Sequence, residues 1–218
     1  DCVSAERIQE ELLKLLAAPR PGSYLEPAVL AVVLPELEPE EQPERFAELC
    51  RTIDRIEPTA ENVPARLAAL LCPLGEAGAR KALRKLKCSN ALTDEVTALE
   101  REAPGTPGSE MQLTAKRLLG RYELPTIQRL TALCSARHPE QAETFAALRA
   151  EAERLTAENA CCRVSQLAVN GRDLMAAGVR PGPGLRQVLN ALLEAVITGQ
   201  TPNEKDALLA AAAQFSAS

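Results

Sequence analysis

Apolar residues recur along this chain at helical spacing, most clearly in residues 167–209. There Leu185, Val188, Leu189, Leu192, Leu193 and Val196 fall at i, i+3, i+4, i+7, i+8 and i+11, a continuous stripe that one helix face would bury. The polar punctuation around the stripe predicts where the helices begin and end. Asn170 can cap a short helix whose third residue, Asp173, reaches back to it, and Gly178 supplies a left-handed stop. Gly182-Pro183-Gly184 opens the striped helix and Gly199 ends it. Thr201-Pro202-Asn203-Glu204 reads as a capping box with proline at the first position of a further helix. A short helix, a Gly-Pro loop and an outward-pointing helix start make a cradle suited to phosphate.

The same reading extends upstream. Residues 4–16 form a helix capped by Ser4, with Ile8, Leu12, Leu15 and Leu16 on one side, and residues 19–22 break it. Helices follow over residues 25–34, 45–56 and 63–71. Residues 66–90 form a helical hairpin bent near Gly75, with the basic run on its second arm. Residues 103–108 (APGTPG) are the most linker-like segment. Ser109 and Gln112 then form a capping box for the helix carrying Lys116, Arg117 and Gly120, and residues 124–136 and 139–156 add two more helices. The expected fold class is all-α, an elongated array of about ten to twelve helices without a sheet.

Composition narrows the function. The chain has 218 residues and a formal net charge of −5, which weighs against indiscriminate nucleic-acid binding. Between Gly75 and Lys87, however, five cations (Arg80, Lys81, Arg84, Lys85, Lys87) face one anion, Glu76, so this segment carries +4 and the remainder −9. Such a helix either holds a phosphate backbone locally or is simply a solvated face. Seven cysteines scattered through helical segments predict buried thiols in a reducing cytoplasm, acting as small apolar residues. No apolar run approaches the roughly 18 residues of a membrane span, so no membrane partner is expected. With two tyrosines, three phenylalanines and no tryptophan, extended single-strand stacking platforms are excluded, whereas shape recognition of a folded RNA through its backbone is not. No nucleophile elbow, Walker loop or GxGxxG is present, nor an Asp-x-Asp pair for nucleotidyl transfer. The chain itself is therefore expected to be catalytically silent, and His138, its sole histidine, to be a helix-end residue.

The ordered set Leu167-Ala168-Val169-Asn170-Gly171-Arg172-Asp173-Leu174, Gly182-Pro183, Val188-Leu189, Ala195-Val196 with Gly199, and Asn203-Glu204-Lys205 resembles the C-terminal tail of bacterial class II tRNA nucleotidyltransferases. These are the CCA-adding enzymes and their poly(A) polymerase-like relatives. The helix over residues 4–16 and the Val33-Leu34-Pro35-Glu36-Leu37 sequence are similar to the neck of that family, and residues 66–90, closing on Leu86-Lys87-Cys88-Ser89-Asn90, to its body. The resemblance implies a neck-like segment (1–57), an RNA-binding helical body (58–160) and a tail (161–218). Some members carry an HD-type metal site in the body. Where that site would read Leu-Leu-His-Asp, this chain reads Leu70-Leu71-Cys72-Pro73, so the metal site is expected to be absent.

By the same resemblance, a catalytic head outside this chain would add C, C and A from CTP and ATP with magnesium, while the present residues need no cofactor. The implied partner is tRNA, held at its acceptor and TΨC arm. The residues expected to touch it are Arg80, Lys81, Arg84, Lys85 and Lys87 in the body, and Asn170, Arg172, Arg180, Gly182 and Arg186 around the tail loop. The rival reading is a helical scaffold that binds only protein, for example as a homodimer through the tail.

Overall fold

The computed structural model describes residues 3–103 and 110–215, and the expected Ser109 cap and most of the APGTPG segment lie outside them. Among the described residues there are twelve α-helices and no strand. They are α1 (Ala5–Ala17), α2 (Pro27–Val33), α3 (Pro43–Arg55), α4 (Val63–Leu71), α5 (Gly75–Lys85), α6 (Asn90–Glu102), α7 (Met111–Arg121), α8 (Leu124–Arg137), α9 (Ala142–Ala157), α10 (Gly171–Ala176), α11 (Pro183–Ile197) and α12 (Lys205–Phe215). The chain is all-α, as the periodicity predicts. It divides into two compact units, one of residues 1–106 and 125–147 and the other of residues 107–124 and 148–218.

In the first unit the sequence of α4, VPARLAALL, is apolar on nearly every side, and every residue from Ala65 to Leu71 is buried. An apolar cylinder of this kind is stable only when neighbours surround it, and α1, α3, α5 and α6 all pack against it. The one polar residue within it, Arg66, is fully buried. Its Nη1 donates to the carbonyls of Leu16 (2.6 Å) and Ala18 (2.7 Å), and its Nε to that of Ile56 (3.1 Å). Those carbonyls close α1 and α3, where helix ends leave acceptors unpaired and the backbone dipoles favour a cation. Burial lowers the Arg66 guanidinium from its ordinary value and Asp54 opposes that shift. With three carbonyl acceptors around it, the group stays charged.

The second unit is built around the tail core of Leu167, Val169, Leu174, Val188, Leu192, Leu208 and Ala212. The stripe predicted for α11 supplies Val188 and Leu192 to this core, with Leu185, Leu189, Leu193 and Val196 packed beside it. Both predicted glycine stops are Schellman caps. Gly178 (φ +99°) donates to Met175 O while Val179 donates to Leu174 O, and Gly199 (φ +76°) donates to Val196 O while Gln200 donates to Ala195 O. One boundary differs from the sequence reading. The last helix begins at Lys205 rather than just after Thr201. Asn203 is diverted to a longer-range bridge, accepting from Ala168 N (2.9 Å) and donating to Gln166 O (2.9 Å).

Candidate nucleic-acid interface

The predicted contact residues fall into two groups, one in each unit. On α5, Ala79, Ala82, Leu83 and Leu86 are buried against the first unit, and this registers Lys81, Arg84, Lys85 and Lys87 on the exposed side. The helix stops in an unusual way. Lys87 adopts the left-handed conformation (φ +59°), with its N–H on Arg84 O and the Cys88 N–H on Leu83 O. This is the cap geometry in which glycine is the usual occupant. Ser89 then caps α6 by accepting from Leu92 N at 3.2 Å.

The five cations are not equivalent. Arg80 is spent within the protein, donating to Asp94 at 3.0 Å and to Thr97 at 2.8 Å. Lys85 lies 3.5 Å from Glu36 across the surface. Glu76, the one anion of the run, is held by Arg101, whose hydrogen bond keeps its carboxyl below the usual carboxylate range. Lys81, Arg84 and Lys87 make no side-chain hydrogen bond or ion pair among the described residues.

The tail group sits on the caps read from the sequence. Asn170 Oδ1 accepts from Arg172 N (2.8 Å) and Asp173 N (3.2 Å), and the Asp173 carboxylate accepts from Asn170 N (3.0 Å). Lys205 completes this box at 2.6 Å, and its hydrogen bond, followed by that from Asn170 N, lowers the Asp173 pKa. The oxygen of Asn170 is thus committed to the helix start. Gly182 holds φ +126° as the N-cap of α11, a conformation that favours glycine. Arg172, Arg180 and Arg186 are exposed and carry no side-chain partner among the described residues.

The sequence reading missed how the other cations are used. Lys116 donates to Ile197 O at the end of α11 (3.1 Å) and Arg117 pairs with Glu194 (2.8 Å), which ties α7 to the tail core. Arg163 donates to Leu119 O and Tyr122 O, closing α7. Arg137 is bound to the buried Glu100 at 2.6 Å and to Ala68 O at 3.3 Å. Burial raises the Glu100 pKa, and Arg137 only partly offsets it. Among the described residues, the cationic side chains left without a partner are Arg7, Arg20, Lys81, Arg84, Lys87, Arg172, Arg180 and Arg186. Six of these eight belong to the two predicted groups, so free positive charge is concentrated there.

Burial pushes the Cys134 thiol up to about 11, and Cys72, Cys161 and Cys162 are raised for the same reason, as befits small apolar residues rather than nucleophiles. His138 sits at the end of α8, its N–H on Cys134 O, and meets Glu140 at 3.3 Å. No helix among the described residues is long and apolar enough to cross a membrane.

Comparison with known proteins fixes the family. The family model for domain 2 of the tRNA nucleotidyltransferases matches residues 59–212. The chain belongs to this tRNA nucleotidyltransferase family. The tRNA nucleotidyltransferase match thus covers α4 to most of α12, taking in both groups of free cations. Among curated relatives, the CCA-adding enzyme of Levilactobacillus brevis is 62% identical over 45 residues, 21% of this chain and 11% of that protein. The CCA-adding enzyme of Lactiplantibacillus plantarum is 31% identical over 156 residues, 70% of this chain and 36% of that protein. That of Geobacillus kaustophilus is 29% identical over 220 residues, 95% of this chain and 50% of that protein. The chain therefore spans at most about half the length of these relatives. No solved structure matches it significantly.

Proposed function

We propose that this chain is the RNA-holding part of a CCA-adding tRNA nucleotidyltransferase, gripping the acceptor and TΨC arm of tRNA. Nucleotide addition, with magnesium, CTP and ATP, is assigned to a head outside the chain. The observation that carries this reading is the distribution of uncommitted charge. On a chain of net charge −5, Lys81, Arg84 and Lys87 follow one another at three-residue spacing along α5 and its C-terminal cap, and Arg172 on α10, Arg180 in the loop before α11 and Arg186 in its first turn lie close together in sequence in the tail. An RNA duplex offers phosphates and 2′-hydroxyls at regular spacing and hides its base edges in a deep groove. Cations without partners, glycine-lined loops and open helix starts are the groups that bind such a surface. The chemical contribution of this part is positioning, fixing a rigid substrate so that its 3′ end meets the head.

The test is a comparison of an acceptor–TΨC minihelix with single-stranded RNA of equal length, each titrated with the 218-residue chain at 50 and 200 mM salt. Tighter binding of the minihelix, weakening steeply with salt, is expected. Equal and salt-insensitive affinity for both would replace this reading with a protein-binding scaffold.

A further inference from the structure

The second unit contains a cleft of about 610 Å³ beside Arg180. Val188 and Ala191 form its apolar floor, and Phe215, Arg180, Gln187 and Gly184 stand around it. Its volume falls within the range of small-molecule sites, and its composition is that of an apolar body with a polar edge. Phe215, one of three phenylalanines in the chain, keeps 39% of its surface exposed at this cleft. Arg180 is the one charged residue on the lining and has no partner among the described residues, so the cleft has a bias toward anions.

Gly184 supplies an independent observation. It is the second residue of the 15-residue α11, where glycine is a weaker helix former than alanine. Its φ is not positive, and a Cβ built on it would meet nothing within 4 Å. Neither backbone conformation nor packing within the protein therefore requires glycine at this position. A bare backbone at the cleft edge leaves space for an external group to approach closely.

Resting on the RNA-holding reading, we infer that this cleft takes one unstacked base of the bound RNA. The base lies against the Phe215 ring, its edge within reach of the Gln187 amide, and its phosphate on Arg180. Aromatic rings bind bases of any sequence because every base has a π-face, and an amide offers both a donor and an acceptor to the edge. One ring serves one base, in keeping with a chain too poor in aromatics for a stacking platform.

The 218-residue chain is titrated by fluorescence anisotropy with two hairpin RNAs of the same stem and loop length, one with ordinary loop nucleotides and one with abasic loop residues. The wild type is expected to bind the base-bearing hairpin roughly 5- to 150-fold more tightly, the range for one base–aromatic stack. Phe215→Ala should reduce that affinity to the abasic level and leave abasic binding unchanged. Gly184→Ala, which favours the helix, should also lose the preference while melting no lower than wild type. Equal affinity of the wild type for both hairpins overturns the base pocket and leaves the RNA-holding reading intact. Equal losses on both hairpins in Phe215→Ala also overturn the pocket. So does a wild-type dimer that Phe215→Ala turns into a monomer, which assigns the ring to a second copy. Failure to bind either hairpin removes the RNA-holding reading itself.

Discussion

Replacing Lys81, Arg84 and Lys87 together by alanine separates available charge from charge merely counted. These three side chains are exposed and have no side-chain partner among the described residues, whereas Arg80 on α5 is bound to Asp94 and Thr97. Each cation that neutralises a phosphate adds about 0.7–0.9 to the slope of log affinity against log salt, so the triple variant should flatten that slope by roughly 2–2.7. Between 50 and 200 mM salt, the wild type should then lose roughly 20- to 40-fold more affinity than the variant. Arg80→Ala should move the slope by well under one unit, because its charge is already answered inside the protein. Anisotropy titrations of the minihelix at four salt concentrations measure both slopes, and thermal melts check the fold. Exposed substitutions of this kind usually change stability by less than about 0.5 kcal/mol each. An Arg80→Ala slope change as large as that of the triple variant would refute the division into free and committed cations.

Three further outcomes follow from the geometry. Lys87→Gly relieves a lysine held at φ +59° and should stabilise the protein by up to about 1 kcal/mol in urea unfolding while weakening minihelix binding, whereas a loss of stability would show that Lys87 supports the cap. Arg66→Met leaves the carbonyls of Leu16, Ala18 and Ile56 without their charged donor and should cost about 3–5 kcal/mol by denaturant unfolding; a cost below about 1 kcal/mol would mean that the carbonyls find other partners. The folded pKa of Asp173 lies below its unfolded value, so its contribution is present above the ordinary carboxylate range and fades as pH falls through the lowered value. Asp173→Asn should accordingly melt below wild type at pH 7 and converge with it in acid, and parallel melting curves at every pH would contradict this.

The parts of the tail that were legible in the sequence are those whose interactions close within a few residues. The Asn170–Asp173 box and the Gly178 and Gly199 caps each span no more than six positions, so residue type and spacing suffice to identify them. The same logic failed at Thr201 because Asn203, which has the composition of a cap residue, bonds to Gln166 and Ala168 instead. Arg66 was illegible for a related reason. Its acceptors at Leu16 and Ala18 lie about 50 positions away, and within VPARLAALL it looks like an isolated polar residue on an apolar helix.

Charge shows the same division between local and distant information. The run on α5 announces five cations, but which of them can meet a phosphate depends on where Asp94 and Glu36 fold. Folding answers Arg80 from α6, while Arg84, one turn later on the same helix, has no side-chain partner among the described residues. Around the tail loop, Arg180 and Gly184 are visible in the sequence, whereas Phe215 reaches their cleft only because α12 packs back on α11. The sequence thus identifies which residue types are present, and tertiary packing decides which remain available. A basic run alone does not distinguish the cations that the fold pairs, Arg80 and Lys85, from those it leaves without a partner among the described residues.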